Sequence, residues 1–356
     1  MNIYDTIYML AAVQELPVEH TFFKRRYFDT DAAMDVFGTS KVLVDYKEGG
    51  QESAPFVLPR IGSIPVGRDG FSTYELEPAN ISISMPLTLD QLTRRGFGES
   101  LLSQLTPEDR AKKFLIHDMA ELSARISRTE EWLACQTMLD NGATMRHQAE
   151  TADKYEDVRV QFYEGENNPA LYTPAAPWTH STETEPGSWY HDIINMAKML
   201  TRRGLPAREV LISSDVGEFL MEDIWVQKMM DNRRMEFGRI APTELTEYVT
   251  HLGGFNFMGR KLDILINDGT FTKDGVDVPY LENGSVIVTA PGCGKGLYGA
   301  VSQMENDGNI KTYAGTRVPQ HIFTVRPPVK ETQLTCRPLF VPKKPSPWSV
   351  AKKVFD

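Results

Sequence analysis

The clearest pattern of hydrophobic and polar positions is the alternation over residues 81–89, ISISMPLTL. Every second side chain is apolar and shares one side of an extended backbone: Ile81, Ile83, Met85, Leu87 and Leu89. This period of two predicts a β-strand with one buried face. Pro86 falls on the other side and has no amide hydrogen to donate, so we expect this strand at a sheet edge or at a bulge.

The strongest helical pattern begins at Thr106, where TPEDR supplies a threonine N-cap, a proline in the first helical position and acidic residues in the first turn. No Gly or Pro follows until Gly142, which predicts a helix of about 35 residues, roughly 50 Å long. Its apolar residues recur at spacings of three, four and seven: Leu115, Met119, Leu122, Ile126 and Leu133. Because this stripe is short for a coiled coil, we interpret the helix as a spine that crosses the subunit.

Helical and strand-like segments alternate from Trp189 onward. The pattern predicts a helix that ends at Gly204, then strands at EVLIS, KLDILIND and VIVTA. Asp215 and Glu218 have the spacing of a capping box for a helix that reaches about Met230. This part of the chain therefore predicts an α/β unit.

The segments on either side of that unit are less regular. Residues 143–188 predict a strand pair and then an exposed insertion or linker, since EGENNPALYTPAAPWTHSTETEPGS contains four prolines. Residues 310–342 return to short strands limited by prolines. We expect an α+β fold in which the α/β unit is inserted into a unit built from strands and the long helix.

The first 40 residues are interpreted as an arm. The stretch TFFKRRYF places four aromatic residues around three basic ones; the aromatic residues are Phe22, Phe23, Tyr27 and Phe28. Aromatic side chains between basic groups can stack on nucleic-acid bases. More often such side chains anchor a segment on a neighbouring protein surface, and we favour that interpretation.

Residues 41–90 predict an extended ribbon that cannot bury its own apolar face. KVLVDY has a strand pattern, and Pro and Gly punctuate FVLPRIGSIPVGRDGFSTY. Because a two-stranded ribbon is marginally stable alone in water, something outside the ribbon is expected to cover it.

The glycine-rich stretch VTAPGCGKGLYGA, residues 288–300, raises the question of a phosphate-binding loop. Such a loop needs glycine where Thr289 stands, and Ser or Thr where Gly296 follows Lys295. The dinucleotide pattern Gly-x-Gly-x-x-Gly is not matched either. We therefore predict a turn between strands.

Composition narrows the classes of protein further. The chain has 356 residues, 41% of them hydrophobic, and a net charge of −10, which disfavours a free nucleic-acid-binding module. The three cysteines are far apart, which is typical of a reducing compartment. No apolar run approaches the length of a membrane helix, and the N-terminus lacks the features of a secretory signal. The last 36 residues carry seven basic and two acidic residues, interpreted as a solvated tail or, less favoured, as a contact for an acidic surface.

Candidate reactive groups do not form a site in the sequence. His117 and Glu121 lie one helical turn apart, but two ligands without a third do not bind a metal. Glu164 and Glu166 are paired acids in an expected loop, where solvated charge is the ordinary role. SSD at 213–215 lacks the elbow of a nucleophilic serine. We expect no catalytic residue, metal or cofactor.

The order of these parts resembles that of the major capsid proteins of tailed phages, which share the Hong Kong 97 (HK97-like) fold, and most closely the lambda type. The resemblance rests on MNIYDTIYMLAA, TFFKRRYF and YLENGSVIVTAPGCGKGLYG at corresponding places, and it extends over nearly the whole chain. It implies a virion protein that forms hexamers and pentamers of an icosahedral head around double-stranded DNA and is not an enzyme.

The resemblance also implies a division of the chain. Residues 1–40 would form the N-terminal arm and 41–88 the extended loop. Residues 89–188 and 306–345 would form a peripheral domain with the spine helix at 107–141. Residues 189–305 would form the axial domain, and 346–356 a C-terminal tail. The glycine-rich stretch would then be a turn in the axial domain.

Contacts between subunits are expected to come from the arm, the extended loop and the strand that follows it. The candidate interface residues are Phe22, Phe23, Arg25, Arg26, Tyr27, Phe28, Phe56, Leu58, Arg60, Ile61, Arg68, Phe71, Ile81 and Ile83. Some relatives join subunits covalently through a loop lysine, but no lysine stands here between Lys47 and Lys112. The loop carries Arg60 and Arg68 instead. A guanidinium group stays protonated at neutral pH and is therefore a poor nucleophile for an isopeptide bond, so we predict a non-covalent shell.

The implied partners are further copies of the chain, a portal, a scaffold, packaged DNA bound without sequence preference, and a decoration protein at threefold positions. Assembly would take place in the host cytoplasm, and no membrane is implied. Two alternatives remain open at this point: an α/β enzyme with a glycine-loop nucleotide site, and a ring-forming connector or tail protein.

Overall fold

The computed structural model describes residues 6–14, 21–31, 33–47, 71–88, 106–148, 155–231, 238–273, 275–305, 308–324 and 329–355. The helices of these residues are α1 (Thr6–Gln14), α2 (Phe23–Tyr27), α3 (Pro107–Asp140), α4 (Ser188–Arg202), α5 (Ser214–Glu222) and α6 (Ile224–Asp231).

The strands of the first half of the described chain are β1 (Phe28–Asp29), β2 (Val42–Lys47), β3 (Phe71–Leu76), β4 (Ile81–Thr88), β5 (Gly142–Gln148), β6 (Tyr155–Gln161), β7 (Glu209–Ser213), β8 (Gly238–Thr246), β9 (Val249–Phe257) and β10 (Arg260–Asn267). Those of the second half are β11 (Thr270–Lys273), β12 (Val276–Pro279), β13 (Val286–Thr289), β14 (Gly294–Tyr298), β15 (Val301–Met304), β16 (Ile310–Tyr313), β17 (Val318–Thr324), β18 (Val329–Cys336), β19 (Pro338–Pro342) and β20 (Ser349–Ala351).

The long helix α3 forms as its sequence predicts. The Thr106 hydroxyl caps it by accepting a hydrogen bond from the Asp109 amide at 3.2 Å, and a proline occupies the first turn. Its C-terminal cap is Asn141 in the left-handed conformation (φ 50°), whereas Gly142 already begins β5. Asparagine tolerates this conformation, and the buried Asn141 amide donates to the Ser346 hydroxyl at 2.8 Å.

A six-stranded mixed sheet, in the order β20-β13-β7-β10-β9-β8, forms the α/β part of the fold. Strand β7 runs parallel to β10 and antiparallel to β13, and all five of its residues are buried. The edge strand β20 comes from the segment expected to be a C-terminal tail. Trp348, just before the strand, and Val350, within it, are fully buried, which explains why this segment joins the sheet.

The prediction of a capping box at Asp215 and Glu218 is wrong. Helix α5 has no side-chain cap, and Asp215 instead accepts a hydrogen bond from the Gly284 amide at 2.7 Å. The helix expected to reach Met230 is interrupted at Asp223. This fully buried carboxylate accepts from the Trp225 amide at 2.8 Å and so starts α6.

The irregular stretch before α4 is largely exposed, as its prolines suggested, but a few of its residues are bound to the α/β part. Asp192 of α4 accepts hydrogen bonds from the Tyr172 hydroxyl at 2.6 Å and the Trp178 indole at 2.8 Å. The second oxygen of Asp223 accepts from the Ser181 amide at 2.7 Å. Two buried carboxylates therefore fix a segment that has no regular structure of its own.

A three-stranded sheet, in the order β17-β18-β4, packs against α3 and α1. The alternating strand β4 lies at its edge, which confirms the position inferred from Pro86. Its apolar face packs on a cluster that includes Met9 of α1, Met119 and Leu122 of α3, and Leu334 of β18. The face that the alternation marked as buried is thus covered by helices of the same chain.

A second three-stranded sheet, β1-β14-β19, brings the N-terminal segment onto the glycine-rich stretch. Gly292 makes the expected turn with φ 66°, but the residues after it form β14, which runs parallel to β1. A β-carbon on Gly294 would lie 2.3 Å from the Phe28 ring, and one on Gly296 would lie 2.5 Å from the Thr30 hydroxyl. The alternating glycines therefore leave room for the N-terminal segment.

Among the described helices, none combines the length and the apolar composition that crossing a lipid bilayer requires.

We expect Gly294→Ala to destabilise the chain by about 1–3 kcal/mol, because the added methyl group would overlap the Phe28 ring in a packed core. Urea unfolding of the unassembled chain measures the loss. Gly38→Ala is the matched control, since nothing lies within 4 Å of a β-carbon at Gly38. Equal midpoints for the two variants would contradict the close approach.

Candidate functional site

The N-terminal segment is held by three buried acidic side chains of other elements: Glu130 and Glu131 of α3, and Glu209 of β7. Glu131 of α3 caps the short helix α2: its carboxylate accepts from the amides of Phe22 and Phe23, both at 2.6 Å, and of Lys24 at 3.0 Å. The Tyr248 hydroxyl donates to the same carboxylate at 3.1 Å. Burial raises the pKa of Glu131, and these hydrogen bonds oppose that shift.

Glu130, the preceding residue of α3, is fully buried and lies between two cations. Its oxygens are 2.6 Å from the Lys24 ammonium and 2.7 and 2.8 Å from two nitrogens of Arg317, and the Tyr298 hydroxyl donates at 3.0 Å. Burial alone would raise the pKa of Glu130, but the charges of Arg317 and Lys24 outweigh it and lower the pKa to about 2. The carboxylate is therefore ionised at neutral pH.

A third acid, Glu209 at the start of β7, binds the other end of α2. The Arg26 guanidinium donates to both of its oxygens, at 2.9 Å from Nε and 2.5 Å from Nη2, and the Tyr27 hydroxyl donates at 2.8 Å. This fork-like pairing fixes orientation as well as distance. Hydrogen bonding to Glu209 and the carboxylate charge raise the pKa of Arg26, although its partial burial opposes the shift.

We call this region the N-terminal anchor: residues 22–28 together with Glu130, Glu131, Glu209 and Arg317. It joins α2 to the long helix α3, to the six-stranded sheet through β7, and to the residue before β17. Its three acids are bound to backbone amides or side chains of residues 22–28, and Glu130 is bound to Arg317 as well, so the arrangement suits the fixing of a chain segment. The role of the anchor is to hold the N-terminal segment in place within the subunit.

The aromatic residues of the N-terminal anchor do not contact a neighbouring protein surface in the way that the sequence suggested. Phe22, Phe23, Tyr27 and Phe28 have at most 3% of their surface exposed, because they fill the core of their own chain. Their role as anchors on a neighbouring surface is therefore corrected: the neighbour is α3 and the adjoining sheets of the same molecule.

The other candidate interface residues fall into three groups. Arg25 is exposed, whereas Arg26 is bound to Glu209 within the chain. Ile81 and Ile83 are half-buried on the inner face of β4. Phe71 begins β3, and its side chain is outside the described residues, as are all atoms of Phe56, Leu58, Arg60, Ile61 and Arg68.

The residues considered for chemistry remain separate. His117 is exposed and Glu121 is half-exposed on α3, with 4.0 Å between the imidazole nitrogen and the carboxylate oxygen. Within the described residues, no group of three or more His, Cys, Asp or Glu side chains is suited to hold a metal ion. Glu164 and Glu166 are exposed in the loop after β6, as expected for solvated charge, and Cys135 is buried on α3.

Sequence reasoning missed the three acids of the anchor, although one signal was present. Glu130 lies four residues after Ile126 and three before Leu133, so it occupies the apolar stripe of α3. A charged residue within such a stripe is seldom buried without a partner. That spacing indicated a buried ion pair, but Lys24 and Arg317 are too distant in sequence to be identified from it.

The sequence model of the family described as Phage major capsid protein E matches residues 5–353 of the chain. A search of curated protein sequences found no match to the chain. The likeness therefore extends from the N-terminal helix to the residues just after β20.

Solved structures similar to the chain include the capsid protein of a prophage from E. coli CFT073, with 14% identity, a TM-score of 0.66 and coverage of 98% of both chains. The mature capsid of bacteriophage PhiM1 has 9% identity, a TM-score of 0.49 and coverage of 94% of this chain and 88% of the other. A structure from Mycobacterium phage Che8 has 11% identity, a TM-score of 0.47 and coverage of 95% and 93%. The first likeness gives the fold, the α+β HK97-like capsid fold.

We expect Glu130→Gln to lower the free energy of unfolding by about 3–5 kcal/mol, because the partly buried Lys24 and Arg317 would both lose their shared counter-charge. Denaturant unfolding of the unassembled chain tests this. Glu121→Gln breaks an exposed pair with Arg125 on the same helix and should cost no more than about 0.5 kcal/mol. Similar losses in the two variants would show that the buried network contributes little.

The same network predicts a pH dependence. The folded-state pKa of Glu130 is about 2, below its ordinary value of 4.5, so its stabilisation is fully present above the ordinary value and is lost as pH falls through about 2. The stability difference between the wild type and Glu130→Gln should therefore narrow as pH falls from about 5 to about 2. A difference that is constant over this range would refute the assignment of charge.

Proposed function

The chain belongs to the Phage major capsid protein E family, and from this membership we propose that its copies assemble as hexamers and pentamers into an icosahedral head around double-stranded DNA. As a major capsid protein it is a component of the virion. The observation that carries the proposal is the match of the family over residues 5–353. The HK97-like fold supports the proposal, because this fold and this family are those of proteins that build capsids.

The proposed division of labour follows the fold. The six-stranded sheet with α4, α5 and α6 would be the axial domain, close to the centres of hexamers and pentamers. Helix α3 and the sheet β17-β18-β4 would belong to the peripheral domain. The ribbon β2–β3 would begin the extended loop that lies across a neighbour, and residues 1–40 would form an arm whose middle part is fixed by the N-terminal anchor.

The shell is proposed to be held by non-covalent contacts alone. No lysine stands between Lys47 and Lys112, so the loop beyond Lys47 lacks the amine of an isopeptide bond. Candidate contacts are the arginines Arg25, Arg60 and Arg68, which pair well with carboxylates across an interface. The buried aromatic residues 22–28 are left out of this set because their own chain covers them.

Further partners are proposed on the same basis. They are a portal, a scaffold, a decoration protein at threefold positions, and packaged DNA that contacts the inner wall without sequence preference. The net charge of −10 suits a wall that does not hold DNA tightly. We assign no catalytic activity to the chain and expect assembly in the host cytoplasm.

Expression of the full chain tests the proposal. Negative-stain images should show closed particles, and boiling the particles in denaturant should give a single monomer band. A ladder of linked chains would contradict the non-covalent shell. Tubes or open rings would favour a connector or tail protein, and specific ATP binding by chains that do not assemble would favour a nucleotide enzyme.

A further inference from the structure

A cavity of about 250 Å³ opens at the base of the ribbon, where β3, the loop after β6 and the segment before β20 meet. Its apolar surface comes from Leu76, Phe162, Pro169 and Pro345. Pockets for small-molecule ligands usually measure about 300–1,000 Å³. This cavity is below that range, so its size suits one long side chain.

The polar edge of the cavity carries a positioned carboxylate. Glu164 is exposed, and the Tyr74 hydroxyl of β3 donates to its Oε1 at 2.9 Å. The loop that bears Glu164 is braced by the Gln161 amide, which donates to the carbonyls of Tyr163 and Gly165, both at 2.9 Å. The carboxylate is therefore held at the opening by hydrogen bonds on both sides of the loop.

The lining of the opening carries a single charged group, the Glu164 carboxylate. The lining residues include no Lys, Arg or His. The nearby guanidinium of Arg203 is outside the lining and donates to the carbonyls of Pro169 and Ser346. The one charged group of the lining therefore favours a cationic occupant over an anionic one.

We propose that this cavity binds an arginine or lysine side chain of a second copy of the chain. The aliphatic stem would lie on the apolar surface while the charged group pairs with Glu164, as long basic side chains do at the edge of apolar surfaces. The inference rests on the proposed function, because a shell places copies of the same chain around each subunit. Charge complementarity and the size of the cavity identify the occupant.

Cross-linking between differently labelled chains tests the identity of the occupant. Asn167→Cys places a thiol on the exposed lining of the cavity and leaves Glu164 intact. Particles co-assembled from nitrogen-14 and nitrogen-15 chains are treated with a benzophenone maleimide, illuminated and digested. We expect mixed-isotope cross-links to a peptide in which an Arg or Lys lies beside the attached residue. Single-isotope cross-links alone, or links to another protein, would overturn the proposal.

Charge substitutions test the energetics. Glu164→Gln should raise the chain concentration needed for assembly roughly two- to fivefold, as expected for an ion pair near the surface, and Glu164→Lys should raise it further. Glu166→Gln, an exposed acid of the same loop outside the lining, is the matched control and should leave this concentration unchanged. The difference between Glu164→Gln and wild type should disappear at about 1 M salt, where screening acts within roughly 3 Å.

These outcomes separate the two proposals. If the wild-type chain forms no closed particles, the proposed function fails. If it does form them and Glu164→Gln assembles like Glu166→Gln at low salt, only the cavity inference fails. Thermal unfolding of the unassembled variants should match the wild type, because Glu164 is exposed. A lower melting temperature in Glu164→Gln would show that the residue stabilises its own chain instead.

Discussion

The structure depends on a buried carboxylate, Glu130, placed between Lys24 and Arg317. The three charges come from parts of the chain that are far apart in sequence, and the carboxylate has no exposed surface. Removing one member of such a group leaves the others ionised in a medium of low dielectric constant, which is costly. The N-terminal segment, the long helix and the strand β17 therefore have to fold together.

The glycine-rich stretch is explained by the same constraint. Once Lys24 and Arg26 are bound to acids of α3 and β7, strand β1 must lie directly on β14. Side chains at Gly294 and Gly296 would occupy the space of that strand. A feature that resembled a phosphate loop is thus a consequence of close packing between two backbones.

The sequence suggested that the aromatic segment contacts neighbouring copies, but its burial shows that it stabilises its own subunit. Residues 22–28 stabilise the subunit. The contacts that we propose between copies therefore involve exposed positions such as Arg25, the outer face of the ribbon, and the cross-strand pair of Met304 and Ile310, which are 61% and 72% exposed.

The sequence by itself determined the elements whose signals are local. The alternation over residues 81–89, the threonine cap of α3 and the buried run EVLIS each appear where predicted, because propensity, capping and periodicity act over a few residues. The order of these elements also sufficed to suggest the capsid fold. Only the tertiary structure decided the direction in which the aromatic segment faces, the strand role of the chain end and the partners of Glu130, Glu131 and Glu209. These are long-range pairings, with partners 106 to 187 residues apart, and no short pattern in a single sequence specifies which distant charge will meet a buried one.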